Sequence, residues 1–291
     1  IRGPAFFCGL VGLRPTYGRV TRHNVVPMSW HLDTVGPMTR TVRDCAHMLR
    51  AIAGHDPNDA TTSALPVPDY AASIDGGVRG LRIGLPTEMF DDDIVDGDVK
   101  EATMRAVAVL EELGATSEDT SLPTSAGSGA VFIATADVDS AAYHSDWLRS
   151  RGDLYDWNTR TRLESASLEP AWAYIKAQRI REKLRHEMLE ALDKYDVLVM
   201  PTGPVAAPTI AASTGKPGGY YQGDRDLIRR RYTSPAPLAG LPAISVPCGF
   251  SETGLPIGVQ IIGKAFDEAT LFRVGQAYES ATEWHTMHPD I

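Results

Sequence analysis

The stretch from Ile1 to Arg22, IRGPAFFCGLVGLRPTYGRVTR, decides how the rest of the chain is to be read. It sets Arg2, Gly3 and Pro4 ahead of an apolar run from Ala5 to Leu10, and spaces Gly9, Gly12 and Gly18 around a Pro15-Thr16-Tyr17 turn. Phe6, Phe7, Leu10, Val11 and Leu13 call for immediate burial, which a loose polar terminus does not offer. The glycines suit a backbone that approaches a neighbour closely or takes positive φ. The stretch does not read as a natural chain start.

Outward from it, Thr41 and Asp44 stand at capping-box spacing before Val42, Cys45, Leu49 and Ile52, with Gly54 as a stop, so a helix begins at Thr41. Residues 55–80 are rich in Pro, Asp and Gly and read as a surface excursion. Leu81, Ile83 and Leu85 alternate as a strand, and apolar positions from Val99 to Leu110 form a helix ending at Gly114. Ser125–Arg151 reads as helix. Glu169–Lys194 is the strongest helical pattern, with Pro170 at its start and Ile180, Leu184, Met188 and Leu192 on one face. Arg179, Arg181, Glu182, Lys183 and Arg185 would cover its solvated face. Asp196–Met200 suits a strand buried on both faces. Residues 203–225 make a long loop, a candidate substrate-side lid. Ala243–Phe250 and Ile257–Gly263 read as a hairpin, and Asp267 caps a final helix. Strand, loop and helix in succession give an α/β fold, and strands from both the first and last thirds suggest one mixed sheet in a single domain over residues 1–291.

The chain has 291 residues, of which 43% are hydrophobic and 22% charged, the balance of an ordinary globular protein. A formal charge of -9 argues against nucleic acid as a direct ligand. Asp91 to Asp93, Asp96 and Asp98 read as a solvated loop, since their spacing lacks the glycine and terminal Glu of a calcium loop. Cys8, Cys45 and Cys248 are widely separated and odd in number, which fits a reducing, cytoplasmic setting and neither a disulfide framework nor a zinc site. No apolar run reaches the length of a membrane span.

The opening stretch resembles the segment that follows the nucleophile in the amidase signature family, where a Gly-Gly-Ser turn is followed by Ile or Val, then Arg, then a Pro-Ala-x-x-Cys-Gly-x-x-Gly-x-[RK]-Pro-[ST]-x-Gly-Arg block. Ile1, Arg2, Pro4, Ala5, Cys8, Gly9, Gly12, Arg14, Pro15, Thr16, Gly18 and Arg19 match it. The likeness continues through Leu32–Asp44, Tyr195–Thr202 and Ala239–Gly249. It implies a large mixed β-sheet covered by helices on both faces, and a Ser/cis-Ser/Lys triad that hydrolyses R–CO–NH2 through an acyl-enzyme without any cofactor. The triad and its oxyanion donors would all lie upstream of Ile1, leaving Ile1, Arg2 and Gly3 as the nearest retained residues.

For Arg2 the resemblance leaves two roles open: a fixed charge that helps keep the catalytic lysine neutral and braces the nucleophile turn through carbonyl or carboxylate contacts, or a purely structural ion pair. Met28, Trp30 and Asp33 fall in a loop that in the family runs near the acyl pocket. Trp30 would line that pocket or pack in the core, and Asp33 suits a turn or cap. Cys8, among apolar neighbours, reads as buried and inert rather than as a nucleophile, and Cys248 likewise. Ser128 lacks a nucleophile elbow and reads as a loop or helix-start serine. Arg229 to Arg231 read as surface charge.

Family members that feed ammonia from glutamine to a charged tRNA tend to carry an acidic residue near Arg230, and an Asn where this chain has Pro237. They also tend to carry a tyrosine-rich run where Glu169–Tyr174 stands here. An arginine would repel the ammonium of glutamine. The resemblance thus points to a stand-alone amidase acting on a small-molecule amide, with a homodimer as a further expectation. Two alternatives stay open: a glutamine-amidase subunit with partner subunits, and a non-catalytic interaction module if the polypeptide begins at Ile1.

Overall fold

A computed structural model describes residues 1–91, 93–209 and 224–288. Its centre is a seven-stranded mixed sheet. In chain order the strands are β1 (Val11–Arg14), β2 (Met38–Thr39), β3 (Arg82–Pro86), β4 (Thr116–Thr120), β5 (Val197–Pro201), β6 (Ala243–Phe250) and β7 (Pro256–Ile262), and their spatial order is β2-β1-β6-β7-β5-β3-β4. The half from β2 to β5 pairs antiparallel, whereas β5, β3 and β4 run parallel. The opening stretch enters this sheet through β1, which pairs with β6 from the last third of the chain.

Side chains alternate between the two faces of a strand, so a strand buried at every position is covered on both sides. All five residues of β5 are buried, as are all of β6 before Phe250 and all of β7 after Pro256. Between β6 and β7 the chain turns on Gly254 (φ 78°), whose N–H donates to Ser251 O at 2.8 Å. A non-glycine residue would be strained there.

Helix α1 (Arg2–Phe7) tolerates Pro4 because the first turn needs no intrahelical donor. It packs on the face of β6 and β7 that carries Ser245, Gly258 and Gln260, where a Cβ on Gly258 would meet Phe6 Cβ at 2.7 Å and Ser245 Oγ at 2.8 Å. The opposite face, with Val246, packs against α9 (Glu268–Ser280) through Gly275. Helix α2 (Val42–Ile52) is capped by Thr41, whose hydroxyl accepts from Asp44 N, and α9 is capped by Asp267. The expected strands and the helices α3 (Gly97–Glu112), α4 (Ser128–Arg151) and α6 (Ala171–Lys194) are present. Within α6, Arg181 departs from the solvated face: it is half-buried and its Nε donates to Leu238 O at 2.9 Å.

Three further helices carry no periodic signal in the sequence. Helix α5 (Trp157–Ala166) starts at Asp156, whose carboxylate accepts from Asn158 N and Thr159 N; helix α7 (Asp224–Thr233) and the short α8 (Pro235–Ala239) lead into β6. Most of the expected 203–225 lid lies outside the described residues, and its last two positions open α7. Among the described residues no helix is long and apolar enough to cross a membrane.

Candidate active site

Gln260 is a polar residue in the middle of β7 and is fully buried. Such a group has to be satisfied internally. Its Nε2 donates to Tyr232 O at 3.0 Å, and its Oε1 accepts from Arg2 Nη1. Arg2 Nη2 donates in turn to Thr233 O at 2.6 Å. On the same face Ser245 Oγ and Thr202 Oγ1 share a hydrogen bond of 2.8 Å, and Thr202 N donates to Gly258 O at 2.9 Å. This polar row locks the start of the chain onto the sheet and onto the end of α7. Arg2 is held by neutral acceptors, and among the described residues no carboxylate pairs with it, which corrects the ion-pair expectation.

Beside the row opens a cleft of about 650 Å³. Its lining includes Ile1, Arg2, Gly3, Met28, Asp33, Arg230 and Pro237, together with Arg14, Phe132, Asp137 and Arg162. Arg14, buried, donates through Nη1 to Leu32 O at 2.9 Å and Thr34 Oγ1 at 2.7 Å. Burial pulls the Arg14 guanidinium down to about 9, against the opposing pull of Asp33. Burial, reinforced by the charge of Arg14, brings Arg2 to about 9 as well. Both remain cationic at neutral pH, with their charges only partly compensated.

The structure thus gathers Ile1, Arg2, Gly3, Met28, Asp33, Arg230 and Pro237 around one cleft. Trp30 stands apart from it. It is 61% exposed, and its ring lies 5.4 Å from the Arg22 guanidinium, so it neither lines the pocket nor packs in the core. Asp33 is a turn residue, accepting from Met28 N at 2.7 Å and Ser29 N at 2.9 Å. Ser128 opens α4 and donates to Arg231 O.

Two further expectations are overturned. Cys8 is exposed and lines the cleft, because α1 ends there and turns Phe6, not Cys8, toward the sheet; Cys248 is buried. Arg229, Arg230 and Arg231 are not a solvated run. Arg229 and Arg230 lie 6.0 and 5.5 Å from the rings of Phe7 and Phe132, and Arg231 Nη2 donates to Glu88 O. They sit toward the C-terminal end of α7, Arg230 and Arg231 on its last turn, and α7 faces α4, a placement that no periodicity announces. Gln260 is legible as a polar break in an apolar strand. Phe132, Asp137 and Arg162 carry no comparable signal.

A model of the family described as Amidase matches residues 1–272. Similar curated proteins include a Glutamyl-tRNA(Gln) amidotransferase subunit from Geobacillus stearothermophilus, 40% identical over 99% of this chain and 63% of the relative. The same subunit from Roseiflexus castenholzii is 42% identical over 100% of this chain and 62% of the relative. Among solved structures, the Thermotoga maritima Glutamyl-tRNA(Gln) amidotransferase subunit superposes with a TM-score of 0.81 at 35% identity, covering 96% of this chain and 60% of that one. A 6-aminohexanoate cyclic dimer hydrolase superposes with a TM-score of 0.82 at 26% identity, covering 99% of this chain and 64% of that one. The chain therefore spans less than two thirds of the length of these relatives. Its sequence match and its seven-stranded mixed sheet together make it a member of the Amidase family, the amidase signature enzymes.

Proposed function

We propose that the polypeptide to which these residues belong is an amide hydrolase that converts R–CO–NH2 to a carboxylate and ammonia. The supporting observation is the cleft at the start of α1, walled by the residues that follow the nucleophile in the signature block. In this reading the nucleophile is a serine immediately ahead of Ile1, activated by a lysine through a bridging cis-serine, all upstream. Serine needs such a base because its free hydroxyl is a poor nucleophile. The acyl carbon bonds to the serine oxygen, the C–N bond breaks, ammonia leaves with a transferred proton, and water then releases the acid. Backbone N–H donors of the serine turn would stabilise the tetrahedral oxyanion, each worth about 3–4 kcal/mol.

The role left to this chain is positioning. Arg2, anchored to Gln260 and Thr233, fixes the point at which the serine turn joins the sheet. We further propose that residues 1–291 belong to one domain with that upstream segment. The test is ammonia release by the polypeptide extended through the serine: simple amides are turned over, and serine-to-alanine lowers the rate by at least a thousandfold. Retained turnover in that variant removes the reading.

A second reading, the glutamine-amidase subunit of a tRNA-dependent amidotransferase, is favoured by the 40–42% identity to proteins of that name. Against it stands Arg230 on the cleft wall, which repels an α-ammonium group. Copurification with partner subunits and a preference for glutamine over simple amides would select it.

A further inference from the structure

Among the described residues, the guanidinium groups of Arg2, Arg14 and Arg230 line the cleft, together with the carboxylates of Asp33 and Asp137. Both carboxylates are already engaged. Asp33 accepts from the backbone of Met28 and Ser29, and Asp137 lies 3.7 Å from Arg162 Nε. Arg14 is only 6% exposed and uses Nη1 alone, toward neutral acceptors, while its Nε and Nη2 have no hydrogen-bond partner. Arg2 is also held by neutral acceptors. Arg230 is half-buried; its Nε has no partner, and among the described residues no carboxylate pairs with it. Among the described residues, its guanidinium rests against the ring of Phe132, at 5.5 Å.

Fixed positive charge beyond what neighbouring carboxylates neutralise is costly in a partly dehydrated wall. A guanidinium with open N–H groups matches a carboxylate, which accepts two parallel hydrogen bonds from its planar fork. Arg2 and Arg14 are tied into the fold, whereas Arg230 rests against a ring and can reorient toward a ligand. Given an amide hydrolase at this cleft, we propose that its substrate is an ω-carboxy amide, –O2C–R–CO–NH2, whose remote carboxylate is drawn in by these arginines, with Arg230 setting the preference.

The test uses the full polypeptide, including the residues ahead of Ile1, and compares ammonia release from succinamate with that from its uncharged counterpart butyramide. The expected ratio of kcat/KM favours succinamate by at least tenfold. Arg230→Gln lowers that ratio at least tenfold, mainly through the KM of succinamate, and Arg230→Lys restores part of it. Should Arg230→Gln fail to fold, the wild-type ratio still reports: it declines as salt rises from about 50 to 500 mM, because added ions screen the attraction. Turnover of butyramide with no preference for succinamate overturns the proposal and leaves the amidase reading standing, as does a ratio indifferent to both Arg230 and salt. Turnover of no amide removes the amidase reading, and the proposal with it.

Discussion

Glu268, the first residue of α9, accepts hydrogen bonds from both the backbone N–H and the hydroxyl of Thr16, at 2.9 and 2.6 Å, across 252 residues of chain. Its other oxygen stands 3.6 Å from Arg19 Nε, and both side chains are buried. The Thr16 hydroxyl also accepts from Phe266 N at 2.7 Å, holding Phe266 at φ 64°, a conformation a bulky residue rarely adopts. The Pro15-Thr16-Tyr17 turn of the opening stretch is thus latched to the last helix. Removing one member of a buried charged pair leaves the other uncompensated, so Glu268→Gln should cost about 3 kcal/mol. Urea denaturation measures it; a loss under about 1 kcal/mol would show that the latch is dispensable.

Gly258 lies where α1 meets β7, and an added Cβ would stand 2.7 Å from Phe6 Cβ. Neither partner can yield without moving backbone. Gly258→Ala should therefore destabilise the fold by about 1–3 kcal/mol, the usual cost of overpacking. It should also loosen Arg2 from Gln260, visible as faster amide exchange over residues 2–7. Exchange unchanged in that segment would contradict this packing.

The thiols should separate cleanly. Burial raises Cys45 to about 12, outweighing hydrogen bonds from Thr39 and Leu13, and burial pushes Cys248 up as well. Cys8 alone is exposed. A thiol-specific disulfide reagent at neutral pH should modify one cysteine per native chain, located by mass spectrometry at Cys8, and three after unfolding. Early labelling of Cys248 would overturn the assigned burial.

Asp59 predicts an acid-side signature. Burial alone would raise its carboxyl, but hydrogen bonds from the Thr61 hydroxyl, Arg22 N and Thr61 N hold it below the ordinary value. A depressed carboxylate contributes stability that is present above its unfolded value, near 3.9, and is lost as pH falls through the folded one. Asp59→Asn should cost about 1–3 kcal/mol at pH 6–7, with the gap to wild type closing below about pH 3. A gap constant with pH would mean that the side chain acts by packing alone.

Most clearly legible in the sequence are the helices with a start signal, Thr41 before α2, Pro170 before α6 and Asp267 before α9; α3 and α4 are legible as well. The buried strands β5, β6 and β7 are legible as apolar runs. Strand β4, Thr-Ser-Glu-Asp-Thr, is not, because it occupies the sheet edge and its side chains answer to solvent rather than to a core. Helix α5 escapes a reading by pattern although Asp156 caps it, since Asn158, Thr159 and Arg160 offer no apolar period. At the site, Ile1, Arg2 and Gly3 of the signature block can be placed from sequence, whereas Cys8 of the same block cannot, because the end of α1 turns it outward. Trp30 and the Arg229–Arg231 run cannot. The arginines take their surroundings from the way α7 meets α4, a long-range contact invisible to local pattern, and Trp30 is held by Arg22, eight residues earlier, which donates to its carbonyl and stacks on its ring.

Everything proposed for the cleft depends on a nucleophile immediately ahead of Ile1, on the cleft wall. The most direct measurement treats the extended polypeptide with a fluorophosphonate that traps activated serines, then maps the adduct by mass spectrometry. One adduct is expected, on the serine joined to Ile1, and none on the 291-residue chain. An adduct on Ser128 or on any other residue from Ile1 onward, with ammonia released by the 291-residue chain itself, would contradict that placement.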